Sequence, residues 1–549
     1  MGSRFAALAA LLCCIAPAVA AQGIPVDIVV VSTTDVHGRI RGWDYYADTA
    51  ETQRGLARAA TIVDSVRAAN PGRVILVDAG DLLQGNPFTY AAAKFDTIGT
   101  HGVIAAMNAM RYDAAAVGNH EFNYGFTHLA RALPQATFPF LAANATSLDG
   151  HPLWKAYTIV ERSGMKIAII GVTTPGSMIW DRENLAGHAS VGDIVVGARD
   201  AVAATKREGA DAVVVIAHSG FGDDKGEAPM SNGLFENAMG RVAREVPGID
   251  LIVYGHSHRE VEATVMNGVL LTQPRNWATS VSIAHLRFEI RGSEWRPIGK
   301  EASIVRVEGH AESPAVVDAS ARTHASARRY AATVVGRTRS AWRADSARLT
   351  DTPLMDFVLE TMRRRAHTDL ASAAAFDLSA KIPAGAVTVA QLAKLYPYEN
   401  TLRAVRITGA QLRDYLEQSA KYFRVADGVL GYDPAIPGFN YEMIAGATYT
   451  IDVSKPIGAR ITALAVRGRR VRPTDTFTMA LTNYRAGGTG GYTMLRGAPV
   501  VYDRDQDIRQ LLIDEVTRRR TISPNDYFTR NWWLTGLPSG GAIVTPRPQ

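Results

Sequence analysis

Cysteine is nearly absent: the 549-residue chain has two, Cys13 and Cys14, adjacent and near the start. Beyond them no disulfide framework or thiolate zinc site can be built. No later apolar run reaches the 18 residues that argue for a membrane-spanning helix. Internal repeats and low-complexity blocks are also missing. Charge of one sign is not massed, since 59 Lys and Arg against 53 Asp and Glu leave a net charge of +6. The short clusters Arg363–Arg365 and Arg518–Arg520 fall in amphipathic stretches and read as solvated helix faces, so no nucleic-acid polymer is expected as a partner. What remains is an ordinary globular composition, 47% apolar and 20% charged, with length for two to four domains.

The first twenty residues carry one charge, Arg4, then the apolar stretch Phe5–Ala16 and the small residues Ala18-Val19-Ala20. That is the pattern of a cleaved secretory leader, and both cysteines lie inside it. The expected product is periplasmic or secreted, cysteine-free, monomeric and without a membrane anchor. Its stability must come from packing and bound metal.

Through the first half, short β-branched runs are each followed by polar residues and a helix-like stretch. The runs are Val26–Val31, Val74–Val77, Ala114–Val117, Ile167–Ile170, Val213–Ala217 and Leu251–Tyr254. Runs this apolar suit strands buried on both faces of an α/β sheet. Gly55–Ala69 and Asp193–Glu208 are helix candidates between them, and Ser313–Tyr330 reads as a helical connector rather than a core element. From Trp342 the texture changes. Helical stretches at Pro353–Arg365 and Gly409–Lys421 alternate with strands near Ala447–Val453 and Phe477–Thr482, which suggests a separate α+β domain. The expected organisation is a leader over 1–20, a first domain over 21–312, a connector over 313–341 and a second domain over 342–549.

Five strand ends are followed by Asp, Asn or His. Asp35 and His37 follow the first, Asp78 and Asp81 the second, Asn119, His120 and Glu121 the third; His218 closes Val213–Ala217, and His256 and His258 follow Tyr254. Ligands bind outside the carboxyl ends of strands in open α/β sheets, so these ends should deliver their side chains to one edge of one sheet. Any one histidine could be a polar loop residue, but the joint pattern is that of a metal centre. Imidazole and carboxylate donors without thiolate suit Zn, Mn, Fe, Co or Ni. The donors are too many for one tetrahedral ion, whereas two divalent cations sharing Asp81 would use them all. Such a pair clamps the attacking and leaving oxygens of a displacement at phosphorus.

In order, Asp35-Val36-His37, Gly80-Asp81-Leu82-Leu83-Gln84-Gly85, Gly118-Asn119-His120-Glu121, His218-Ser219-Gly220 and Gly255-His256-Ser257-His258 resemble the motifs of the calcineurin-like metallophosphoesterases. The resemblance implies a four-layer αββα domain holding two divalent ions (Zn, Mn, Co, Fe or Mg). It assigns Asp35, His37, Asp81 and His258 to one ion, and Asp81, Asn119, His218 and His256 to the other. It makes His120 the catalytic histidine that is not a ligand. Further on, Tyr396-Pro397-Tyr398-Glu399-Asn400-Thr401 and Asn483-Tyr484-Arg485 resemble the C-terminal substrate domain of periplasmic 5′-nucleotidases, with Tyr398 and Tyr484 where two rings sandwich a nucleobase and Asn400 beside them. Tyr396 is the alternative to Tyr398.

Two departures bear on the substrate. Asn123 stands where 5′-nucleotidases have the aspartate that orients the catalytic histidine, and Ala371–Phe376 offers no arginine to fix a terminal phosphate. With Asp44-Tyr45-Tyr46, both departures are similar to the bifunctional 2′,3′-cyclic-nucleotide 2′-phosphodiesterase/3′-nucleotidases. A small-molecule nucleotide is the expected substrate. A 5′-nucleotidase, a nucleotide-sugar pyrophosphatase and a non-catalytic nucleotide-binding protein are the alternatives.

Overall fold

The computed structural model describes residues 25–537, apart from 223–228, 231, 399 and 427–428. The leader over 1–20, with Cys13 and Cys14, lies outside the described residues. No described helix is long and apolar enough to cross a membrane.

All six apolar runs form strands, but in two sheets. Val26–Thr33, Val74–Asp78 and Ala114–Ala116 run parallel in one six-stranded sheet, with Ser280–Arg291 antiparallel on the other side of Val26–Thr33. Met165–Thr173, Ala212–His218 and Leu251–Tyr254 run parallel in a second. Alternate side chains of the two sheets meet in a dry layer that includes Val30, Ile75, Val77, Ile169, Val214, Ile216 and Val253. On the outer face of the first sheet, Val29, Val31 and Leu76 pack with the helices Leu56–Ala69 and Gly102–Met110. The outer face of the second is covered by Ile194–Arg207 and Met239–Glu245. This is the αββα sandwich. The expectation of one sheet edge is thus corrected: a strand buried on both faces reads the same whether its cover is a helix or another sheet.

The Pro314–Ala332 helix also differs from expectation. Val316, Ala327 and Ala331 sit in the core of the first sandwich half, so it is a packed element of that layer rather than a free connector. Its final turn stacks Tyr330 on Tyr90, with ring centroids 4.9 Å apart. Beyond it, the strands Thr401–Thr408 and Thr476–Thr482 pair antiparallel in a five-stranded sheet, covered by Pro353–Ala366 and Gly409–Ala420 around a second large core. Arg363–Arg365 and Arg518–Arg519 are helical, with Arg363 on Glu360 and Arg518 and Arg519 on Glu515, while Arg520 caps the end of its helix. Polar contacts that join the halves include Tyr90 to Gln510, Arg509 to the Tyr46 hydroxyl, and Arg403 to the Ile179 carbonyl.

One buried feature sets a stability prediction. His101 and His128 lie ring to ring at 5.2 Å, and among the described residues neither nitrogen of His101 has a partner. Burial, then His128, Arg131 and Arg322, pushes His101 down to about 3; burial, then Arg131 and Lys94, pushes His128 down to about 4. The unfolded chain therefore takes up these protons first, and stability present above about pH 6.5 is lost as pH falls toward 4 and then 3. Thermal melts between pH 7.5 and 4.5 should show a shallower decline for His101→Asn/His128→Asn than for the parent. Parallel declines would assign acid sensitivity to other groups.

Candidate metal centre and substrate site

The carboxyl ends of both sheets open onto one edge, and there the backbone is unusual. Asp35, His37, Asp81, His256 and His258 all have φ between 47° and 69°, the left-handed region that costs non-glycine residues energy. Neighbouring glycines allow the close approach. A Cβ on Gly118 would lie 2.2 Å from Asp81 Oδ1, and one on Gly255 would lie 2.7 Å from Asp35 Oδ2.

Among the described residues two donor groups result: Asp35, His37 and His258 converge within 4.8 Å, as do Asp35, Asp81 and His218. Asp35 is common to both groups; Asp81 Oδ2, in the second, lies 3.0 Å from His218 Nε2 and reaches to 3.7 Å from His37 Nε2 of the first. Asn119 Oδ1 is 3.1 Å from His218 Nε2, and His258 Nε2 is 3.2 Å from His37 Nε2. Two imidazole nitrogens that close, beside carboxylates, suit a shared cation. His256 stands slightly apart, its ring 5.1 Å from that of His218 and its Nε2 2.9 Å from Glu236, so Nδ1 is its remaining donor.

The fit to divalent cations rests on how each ring is held. His37 gives Nδ1 to the Gln84 carbonyl and His218 gives Nδ1 to the Ala79 carbonyl, both at 2.9 Å, leaving Nε2 facing inward. Outer hydrogen bonds of this kind fix the tautomer of metal-bound histidine. Electrostatics agree. Burial lowers the basicity of His218, but Asp81, Asp35 and Glu121 more than offset it and raise its pKa to about 10. Burial likewise opposes charge on Asp81, yet His218, His120 and His37 hold its carboxyl well below the usual range. Such a cluster favours positive charge at its centre.

Two supports escaped the sequence reading. Glu121, fully buried, accepts from the amides of Asp81, Leu82, Leu83 and Gly118 at 2.6–3.0 Å, clamping the Asp81 turn to the His120 turn. Trp180 stacks on His256 at 5.5 Å. The G-N-H-E motif contained the first signal; the second had none.

His120 is in neither donor group. Its backbone amide donates to Asp81 Oδ1 at 2.8 Å, and its Nδ1 meets Asn123 Oδ1 at 2.6 Å. Burial disfavours its protonated form, but Asp81, the Asn123 bond and Asp181 together raise its pKa.

In the second half, Leu402 pairs with Thr482, and Asn483 Oδ1 accepts from the Thr401 amide, so Tyr398 and Tyr484 emerge at the same sheet end. Both rings are over 40% exposed, whereas Tyr396 is core. That separates the two tyrosine candidates. Phe376 meets Tyr398 edge-on at 4.9 Å, and Asn400 holds the start of the Ile508–Arg519 helix through its carbonyl. Arg485 is buried against Glu442 and bonds the Thr489 carbonyl, fixing the glycine turn behind Tyr484.

Comparison with known proteins finds a match for each half of the chain. Residues 28–260 match the calcineurin-like phosphoesterase family and residues 332–497 the 5′-nucleotidase C-terminal domain. A 2′,3′-cyclic-nucleotide 2′-phosphodiesterase/3′-nucleotidase of Haemophilus influenzae is 31% identical, over 92% of this chain and 87% of its own length. The chain belongs to this phosphoesterase family. It is a hydrolase of phosphoric esters. The Bacillus subtilis trifunctional nucleotide phosphoesterase protein YfkN is 30% identical over 95% of this chain, which spans 39% of that longer protein. A candidate 5′-nucleotidase from Staphylococcus aureus superposes with a TM-score of 0.77 at 25% identity, covering 93% of this phosphoesterase and all of that chain.

Proposed function

We propose that this phosphoesterase opens 2′,3′-cyclic nucleotides to 3′-nucleotides and then releases phosphate and nucleoside, using two divalent cations. Asp35, His37, Asp81 and His258 hold one, and Asp81, Asn119, His218 and His256 the other. When bound, the pair supplies Lewis-acid charge and a water of lowered pKa. His120 turns Nε2 toward the reacting phosphoryl group, where it neutralises charge and passes a proton to the leaving oxygen. Tyr398 and Tyr484 hold the base, with Asn400 beside them. The leader pattern supports export to the periplasm or medium.

The observation that favours a cyclic substrate is the wall behind Tyr398. Of the segment Ala371–Phe376, the Phe376 ring meets Tyr398, and the segment itself supplies no guanidinium. A singly charged diester needs no bidentate clamp, whereas a doubly charged terminal phosphate is best held by one. The name of the Haemophilus relative points the same way. Initial rates on 2′,3′-cAMP, 3′-AMP and 5′-AMP test the proposal: kcat/KM should be highest for the first, measurable for the second and lowest for 5′-AMP. Preference for 5′-AMP would overturn it.

The base clamp is tested separately. Stacking contributes about 1–3 kcal/mol per base, so Tyr398→Ala or Tyr484→Ala should raise KM about 5- to 150-fold with kcat nearly unchanged. Hydrolysis of bis(p-nitrophenyl) phosphate, which has no base, should be spared. Equal loss on both substrates would make these tyrosines structural.

A further inference from the structure

The Asn123 departure removes a carboxylate from the catalytic histidine, and the fold supplies another one step further out. Asn123 Oδ1 accepts from His120 Nδ1 at 2.6 Å, and Asn123 Nδ2 donates to Asp181 Oδ1. Asp181 is 5% exposed and closes the short helix Ser177–Trp180. That helix is anchored on two sides: Trp180 stacks on His256, and the Ile179 carbonyl accepts from Arg403 of the second half. In the next helix, Arg182–Leu185, Asn184 donates to the Asn123 carbonyl.

We infer that Asp181 is a positioning residue for catalysis, setting the orientation of the Asn123 amide and through it the tautomer of His120. An amide has an oxygen end that accepts and a nitrogen end that donates. A carboxylate only accepts, so it selects the Nδ2 end of Asn123 and leaves Oδ1 for the histidine. Oδ1 in turn demands a proton on Nδ1, which keeps Nε2 as the nitrogen facing the substrate. Without the carboxylate the amide is free to flip. A flipped amide would present N–H to Nδ1, which a ring carrying N–H on both nitrogens cannot accept, so the form of His120 that donates from Nε2 while Nδ1–H stays bonded to an oxygen would be lost. The His–Asn–Asp chain thus does what a His–Asp pair does, with the charge one residue away.

This inference rests on His120 being the catalytic imidazole, so the His120→Ala variant is measured alongside. If that variant keeps its rate, the catalytic assignment fails; if it loses rate and Asp181→Asn does not, only the present inference fails. Asp181→Asn should lower kcat for 3′-AMP about 10- to 10²-fold, a part of what deleting the imidazole costs, with KM little changed. Asn123→Asp should also lose rate, because it sets two carboxylates against each other. The swap Asn123→Asp/Asp181→Asn restores one acceptor toward His120 and one donor behind it, and should return kcat to within about 3-fold of the parent. A packing role for Asp181 would not be rescued by moving the carboxylate nearer to His120. A double variant as impaired as the product of the two single losses, or a normal rate in Asp181→Asn, overturns the inference.

Discussion

Asp81→Ala should leave no measurable turnover on any phosphoester, a loss of at least about 10³-fold in kcat, equivalent to the several kcal/mol that Lewis-acid charge contributes. Asp81 Oδ2 lies 3.0 Å from His218 and 3.7 Å from His37, so its removal takes an anionic donor from the second group and from beside His37 of the first. Metal content should fall at both positions, read by elemental analysis after gel filtration. Because Asp81 sits at φ 62° and accepts the His120 amide, the alanine variant also disturbs the turn. Asp81→Asn separates the effects, since asparagine tolerates that conformation and keeps an acceptor while losing the charge. It should fold with a near-parental melting temperature and remain inactive. Full activity in Asp81→Asn would show that the carboxylate is not a shared ligand.

His120→Ala should behave oppositely: metal retained, rate reduced about 10²–10⁴-fold. The backbone amide of residue 120 still donates to Asp81, and His120 lies outside both donor groups, so the cluster has no reason to empty. The loss should be smaller for p-nitrophenyl esters, whose phenolate leaves without a proton, than for 3′-AMP. A variant with normal rate and depleted metal would mean that ligand and catalyst had been exchanged.

Much of this was legible before the structure because the site is local in sequence. Each donor follows its strand by a few residues, and an apolar run ending in Asp, Asn or His states both the strand and its cargo. Between Tyr396 and Tyr398 the sequence left an alternative, and burial distinguishes the core ring of Tyr396 from the exposed ring of Tyr398. Illegible were the features made by distant pairings. One sheet or two depends on what covers a strand, which its own residues do not encode. The core role of Pro314–Ala332 was masked because its buried face is mostly Ala, Ser and Thr, small residues that pack closely against Gly102–Met110 without an apolar stripe. Glu236 meets the site from a loop, and Trp180 and Asp181 from the end of the short helix Ser177–Trp180, none of them within a motif; Glu121 was visible as a letter but not as the acceptor of four amides.

The central claim is a binuclear centre, and stoichiometry tests it most directly. Protein stripped by a chelator and titrated with Mn²⁺ or Zn²⁺ should regain 2′,3′-cAMP hydrolysis in step with the second bound ion, reaching a plateau at two ions per chain. Full activity at one ion per chain, with no gain from a second, would contradict the account.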